Sequence, residues 1–280
     1  MPWMRDGHLK KIAFIGGGNM ARALAGGLLR AGMSAGDISI GEPQEAQRAA
    51  LQRDLGVRVS ADNATAIAGA ETVVLAVKPQ EAAAVLAQLA LPAAQPAPLL
   101  VSIAAGLQVS TLQRWCGGVH IVRAMPNRPA LLGAGVSALY ARPEVTAQER
   151  ALAETLLRAA GRIVWVRHER ELDLVTALSG SGPAYFFLMA EQLAAAAHQA
   201  GLDLATATLL AAETLYGAGQ LAHTGMPLAQ QRAAVTSKGG TTEAALAALE
   251  AAGFGTLITR AFDAAAARSA ELAATLAGSA

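Results

Sequence analysis

Residues 16–21 read Gly-Gly-Gly-Asn-Met-Ala, between an apolar β-branched run and a helical stretch. Positions 16, 18 and 21 fit the Gly-x-Gly-x-x-Gly/Ala pattern of a phosphate-binding turn. Gly16 permits the tight turn, Gly18 lets the backbone approach a pyrophosphate, and Ala21 lets the helix pack close to the strand. Asn19 and Met20 open that helix, so unpaired N–H groups and the positive end of its dipole face the phosphates. The chemistry is dinucleotide binding. The bland alternative is a glycine turn in an unrelated α/β domain.

The residue after the second strand chooses between the two nicotinamide cofactors. Glu42 stands there, where an acidic group bonds the ribose 2′-OH, and it would repel a 2′-phosphate. It therefore favours NADH over NADPH, with a solvated loop glutamate as the alternative. Arg48 lies about one turn into the next helix and could swing back toward this loop. Asn63, the run Ala76-Val77-Lys78-Pro79 and the turn Met125-Pro126-Asn127 follow other strand or near-strand segments. They are candidate cofactor walls, because ligands of open α/β sheets lie at the carboxyl ends of the strands. The bland account of Lys78 is a surface lysine before a proline.

Two further segments lie in the second half. Ser179-Gly180-Ser181-Gly182-Pro183-Ala184-Tyr185 puts small residues before a helix, where a backbone or ligand can approach closely. Val235-Thr236-Ser237-Lys238-Gly239-Gly240-Thr241-Thr242-Glu243 is a glycine turn opening a helix among hydroxyl residues. Free N–H groups with Ser and Thr donors form a cradle suited to a carboxylate. The alternative is an ordinary N-capping turn. The spacing of a Walker A loop is absent. No His falls in any motif; the five are His8, His120, His168, His198 and His223. Cys116, the single cysteine, excludes an internal disulfide and any multi-cysteine metal site, and reads as a buried, inert thiol. No metal site is expected.

These residues need elements to hold them. Strands are expected at 11–15, 38–40, 57–59, 72–77, 99–103, 120–124, 136–140 and 162–166. Helices are expected at 20–31, 44–55, 63–67, 80–91, 109–115 and 147–160. Regular βα alternation means a parallel sheet with helices on both faces. After Val166 the strand signal stops. Helical stretches follow at 171–200, 204–223, 227–235, 242–252 and 256–277. The fold class is therefore α/β: a Rossmann-like doubly wound sheet in residues 1–166 and an all-helical domain in residues 167–280. The stretch 184–200 is apolar nearly all round, as a helix buried on every side would be. A helical unit this small struggles to bury it alone, which points to an intertwined oligomer, most simply a C2 dimer.

Composition narrows the class. The chain has 280 residues, 53% hydrophobic and 15% charged, with a net charge of +1. It is too apolar for a disordered chain and too near neutral for phosphate-driven nucleic-acid binding. The uncharged stretch 82–113 contains Pro92, Pro96 and Pro98 and so is not one membrane helix. A soluble, cytoplasmic protein is expected.

Taken in order, Ile15 to Met20, Ala76 to Pro79, Val101 to Gly106, Arg123 to Asn127, Ser179 to Tyr185 and Ser237 to Thr242 resemble the motifs of the pyrroline-5-carboxylate reductase family. The resemblance runs over nearly the whole chain. It implies NADH- or NADPH-dependent reduction of 1-pyrroline-5-carboxylate to L-proline, the last step of proline biosynthesis. It also implies a helical dimerisation domain, and a homodimer that in such proteins often assembles further to a decamer. Gly16 to Met20 would bind the pyrophosphate, and Asn63, Ala76 and Lys78 would line the ribose and adenine side. Ser237, Gly239, Gly240, Thr241 and Thr242 would bind the substrate, with Thr242 the catalytic hydroxyl nearest the imine nitrogen. Arg128, Lys238 and residues 231–233 depart from the usual pattern, which touches affinity and cofactor choice more than reaction class. The rival readings are a β-hydroxyacid dehydrogenase, which would need a lysine that 171–200 lacks, a non-catalytic nucleotide-binding relative, and a reductase of a different cyclic imine.

Overall fold

The computed structural model describes residues 10–89, 91 and 97–278. His8, Ala90, Pro92 and Pro96 lie outside the described residues. Two compact units are present: residues 1–180 with 266–280, and residues 181–265.

The first unit is built on an eight-stranded sheet. In chain order the elements are β1 (Ile12–Ile15), α1 (Asn19–Arg30), β2 (Ile38–Gly41), α2 (Glu45–Leu55), β3 (Arg58–Ser60), α3 (Asn63–Ile67), β4 (Thr72–Leu75), α4 (Ala82–Ala87), β5 (Leu99–Ser102), α5 (Val109–Cys116), β6 (Ile121–Met125), β7 (Gly135–Ala141), α6 (Ala147–Arg158), β8 (Gly161–Trp165) and α7 (Glu171–Val175). The strand order is β3-β2-β1-β4-β5-β6-β7-β8. The order reverses between β1 and β4, and a crevice at the carboxyl ends follows from that reversal. β1, β2, β4 and β5 are buried along their whole length, as strands covered on both faces must be. One core packs Phe14, Leu24, Leu28, Ile40, Val74 and Leu156 together; the other packs Ile15, Leu75, Leu86, Leu100 and Leu112.

Three expectations are corrected. The sheet is not parallel throughout, because β6 and β7 pair antiparallel. Their link, residues 126–134, holds only a 3-10 turn (Arg128–Leu132), and a parallel return needs a crossover of a dozen residues or more. The helix expected over 80–91 is a 3-10 turn at Pro79–Glu81 followed by the short α4. The single helix expected over 171–200 is broken. A π-helical turn at Thr176–Gly180 separates α7 from the next helix, and Pro183 cannot donate the backbone bond that continuity would require. Thr176 and Ser179 hydroxyls bond back to Leu172 O and Val175 O across this turn.

The second unit is helical among its described residues: α8 (Gly182–Gln199), α9 (Leu204–Ala222), α10 (Leu228–Ala234), α11 (Thr241–Ala251) and the first part of α12 (Phe254–Gly278). Many of its large apolar residues are exposed in the single chain: Phe186 is 62% exposed and Tyr216 64%. A groove of about 550 Å³ between α8 and α9 is lined by Phe187, Ala194, Leu204, Ala211 and Leu215. Among the described residues no single helix is long and apolar enough to cross a membrane, although α11 and α12, bent by 57°, pass that test together.

Two aspartates close helix starts by accepting backbone N–H bonds. Asp62 accepts from the Thr65 hydroxyl (2.6 Å) and from Thr65 N (2.8 Å), and Asp203 from Thr206 N (3.0 Å). These bonds hold both carboxyls below the ordinary aspartate value of 3.8. A depressed folded pKa gives stability that is present above the unfolded value and lost as pH falls through the folded one. The melting temperature should therefore drop below about pH 4. An Asp62→Asn, Asp203→Asn double variant, which keeps the caps without the charge, should show a shallower drop in a pH series of thermal melts.

Candidate functional site

β1 delivers the chain to Gly16, whose φ of +95° suits glycine alone; a Cβ there would sit 2.8 Å from Ala76 O. Gly16 N donates to Gly41 O at 2.8 Å and Ala76 N donates to Ile15 O at 2.8 Å, so the ends of β1, β2 and β4 are tied together. Gly18 caps α1 in extended geometry, and a Cβ added to it would meet nothing within 4 Å. No side chain caps α1 and its first turn carries no acid, so its leading N–H groups face open space. Ala21 is fully buried. This cradle fits the pyrophosphate of a dinucleotide: free donors, a dipole of the right sign, and room that a side chain would fill.

Around it, Asn19, Met20, Ala76, Val77 and Pro79 are exposed or half-buried at the strand ends, and Lys78 is exposed. Asn63 begins α3, and a Cβ on Gly41 would overlap its Oδ1. That oxygen is buried with no partner. Gly41 was not singled out from sequence, since its need for glycine comes from a side chain 22 positions away (63 less 41).

Glu42 does not stand out toward solvent. It is 6% exposed; its Oε2 accepts from Gly17 N at 3.0 Å and its Oε1 from Gln44 N at 2.9 Å. Arg48 has swung back, donating through Nη1 to Glu42 O (2.9 Å) and Pro43 O (2.6 Å). At the end of β6, Met125 is half-buried and Pro126 buried. Asn127 is 9% exposed and its amide is used within the fold. Nδ2 donates to Ser179 O at 3.2 Å, and Oδ1 accepts from Val136 N at 2.9 Å. Asn127 thus ties β7 to the π-turn. Arg128 is exposed.

In the helical unit, the turn before α11 has Gly239 at φ +71°. Gly240 caps α11 and donates to Ser237 O at 3.0 Å. Gly239 N is already taken: it donates to Glu243 Oε2 at 2.6 Å. Glu243 reaches back from the third helical position, a signal available in the sequence and not used there. Thr241 is exposed and Thr242 half-buried, and neither hydroxyl has a partner among the described residues. The turn offers helix N–H groups and two hydroxyls to an anion.

Cys116 is buried, donates to Leu112 O at 3.0 Å, and burial pushes its thiol up to about 11. It is inert at neutral pH. Among the described residues no three His, Cys, Asp or Glu side chains gather to hold a metal ion.

The doubly wound sheet and its glycine cradle define a dinucleotide-binding oxidoreductase architecture. Residues 11–106 match the family model of NADP oxidoreductase, coenzyme F420-dependent, and residues 169–272 match that of pyrroline-5-carboxylate reductase dimerisation. The chain is 46% identical over 265 residues to the pyrroline-5-carboxylate reductase of Pseudomonas aeruginosa, covering 94% of this chain and 97% of that one. A pyrroline-5-carboxylate reductase structure from Coxiella burnetii superposes with a TM-score of 0.89 at 39% identity, covering 95% and 99% of the two chains. That of Plasmodium falciparum pyrroline carboxylate reductase with NADP bound gives 0.80 at 28% identity, covering 94% and 98%. The chain belongs to the pyrroline-5-carboxylate reductase family. It uses NAD(P)H, and its match to a dimerisation domain supports oligomer formation.

Proposed function

We propose that this chain reduces 1-pyrroline-5-carboxylate to L-proline, the closing step of proline biosynthesis. The observation that carries the reading is the hydroxyl-rich turn Ser237–Thr242, intact in a chain related to such reductases along 94% of its length. When bound, the reduced nicotinamide supplies a hydride to the carbon of the C=N bond. Gly16, Gly18, Asn19 and Met20 hold its pyrophosphate, and Asn63, Ala76, Val77, Lys78 and Pro79 line the nucleoside side. Met125, Pro126 and Asn127 back the same crevice, Asn127 by fixing the backbone. Ser237, Gly239, Gly240 and Thr241 cradle the substrate carboxylate, for which Glu243 must release Gly239 N. Thr242 orients the ring nitrogen. A cyclic imine is protonated before it accepts hydride, so positioning and one hydroxyl bond do the work otherwise given to a buried acid.

Residues 1–166 serve the nucleotide and 167–280 the substrate and self-association, as a homodimer that can build a decamer. The protein works in the cytoplasm on a small molecule, without nucleic acid or membrane. The test is loss of reduced-nicotinamide absorbance with racemic pyrroline-5-carboxylate, with proline identified as product. Cofactor binding without oxidation would move the reading to another cyclic imine. Thr242→Ala should lower kcat by roughly 10- to 100-fold, the worth of one charge-assisted hydrogen bond, with cofactor affinity unchanged. Unaltered steady-state kinetics would remove Thr242 from the mechanism.

A further inference from the structure

The loop after β2 is arranged against the cofactor choice that its acidic residue suggests. Both oxygens of Glu42 are committed to backbone donors, Gly17 N at 3.0 Å and Gln44 N at 2.9 Å, and the side chain is buried. A carboxylate so held is an internal strut between the glycine turn and the start of α2. Facing outward to a ribose would leave two amides without acceptors, each a desolvated donor. Arg48 is held in the opposite sense. Its Nη1 is fixed by Glu42 O and Pro43 O, at 2.9 and 2.6 Å. A guanidinium carries five N–H donors. Nε and Nη2 therefore remain, and among the described residues they have no carboxylate partner and no other acceptor. A half-buried, unpaired guanidinium, pinned to main-chain oxygens, sits at the carboxyl end of β2, where the ribose 2′ substituent is read in this class of sheet.

We propose that Arg48, and not Glu42, reads the ribose 2′ position, and that it selects the 2′-phosphorylated dinucleotide, NADPH. Pinning lowers the ordering cost of the side chain, and the planar fork suits a phosphate dianion better than a hydroxyl. Glu42 acts indirectly, by holding Gly17 and the loop that positions Arg48. The inference rests on the dinucleotide reading given above.

The test reads binding rather than turnover, with adenosine 2′,5′-bisphosphate and 5′-ADP titrated calorimetrically into the full-length protein. The wild type should bind the 2′-phosphorylated nucleotide more tightly than ADP. Arg48→Met, which keeps the apolar stem, should weaken the 2′-phosphorylated nucleotide by roughly 10- to 100-fold and leave ADP within about twofold. Arg48→Lys, with charge but no fork, should fall between. Glu42→Gln, which presents a donor to one of two donors, should weaken both nucleotides together. Equal losses of both nucleotides in Arg48→Met, or no loss, would overturn the proposal. So would a Glu42→Gln variant that gains only the 2′-phosphorylated nucleotide. If the wild type binds both nucleotides alike, this proposal alone falls; if it binds neither, the dinucleotide reading falls with it.

Discussion

Gly16→Ala should lose cofactor affinity by about 100-fold or more, whereas Gly18→Ala should lose affinity with its fold stability nearly unchanged. The two glycines are two residues apart and differ physically. At Gly16 the backbone is at φ +95°, and a Cβ would press on Ala76 O at 2.8 Å and Val77 Cγ1 at 3.1 Å. The first costs roughly 1–3 kcal/mol of strain, and the second cannot be relieved without parting β1 from β4. The turn must shift, and the donors it aims at phosphate shift with it. At Gly18 the backbone is ordinary, φ −67°, and an added methyl meets nothing in the protein. On the proposed placement of the cofactor, that methyl occupies only the space the pyrophosphate would need. Cofactor titration by fluorescence and thermal melting of both variants separate the cases. Equal melting losses, or retained affinity in Gly18→Ala, would show that the cradle is not where the phosphates bind.

Glu169→Ala is expected to destabilise the first unit by about 3–5 kcal/mol, a large share of the roughly 5–15 kcal/mol a domain possesses. One oxygen of Glu169 accepts from Arg123 Nη1 at 2.6 Å and from Val109 N at 2.7 Å. Arg123 is 7% exposed and has no other carboxylate within ion-pair distance among the described residues. Truncation leaves a buried cation in β6 and an uncapped amide at the start of α5. Glu169→Gln keeps an acceptor and should lose less. Urea unfolding with an unchanged m-value measures the difference, and a midpoint shift under a few tenths of a molar would mean that water replaces the pair.

What could be read from sequence was what is local. The strand, glycine turn and helix of residues 12–30 carry their geometry in adjacent residues, and the end of strand signal after Val166 is likewise a matter of composition. The reversal at β7 was not read, although residues 126–134 are too few to carry a crossover. The break before α8 was written in Gly182 and Pro183, yet the apolar run on either side masked it. Glu42 shows the limit most clearly. Its position was found, but its direction depends on Gly17, 25 residues earlier, and a strand-end acid can turn either way. The bond from Gly239 N to Glu243 was within reach as a helix-start pattern. Reading the turn only for its free donors hid that one of them was occupied.

The helices of the second unit leave Phe186, Phe187, Leu209, Leu210 and Tyr216 more than half exposed in the single chain. An isolated copy would hold that surface against water, so its folding equilibrium includes the concentration of other copies. Dilution then acts on this unit as urea acts on a monomeric protein, through mass action. The turn at 237–242, proposed above to hold substrate, lies in the same unit. The chain's capacity to hold substrate would accordingly be set by how much of it has been made, as well as by how it is folded.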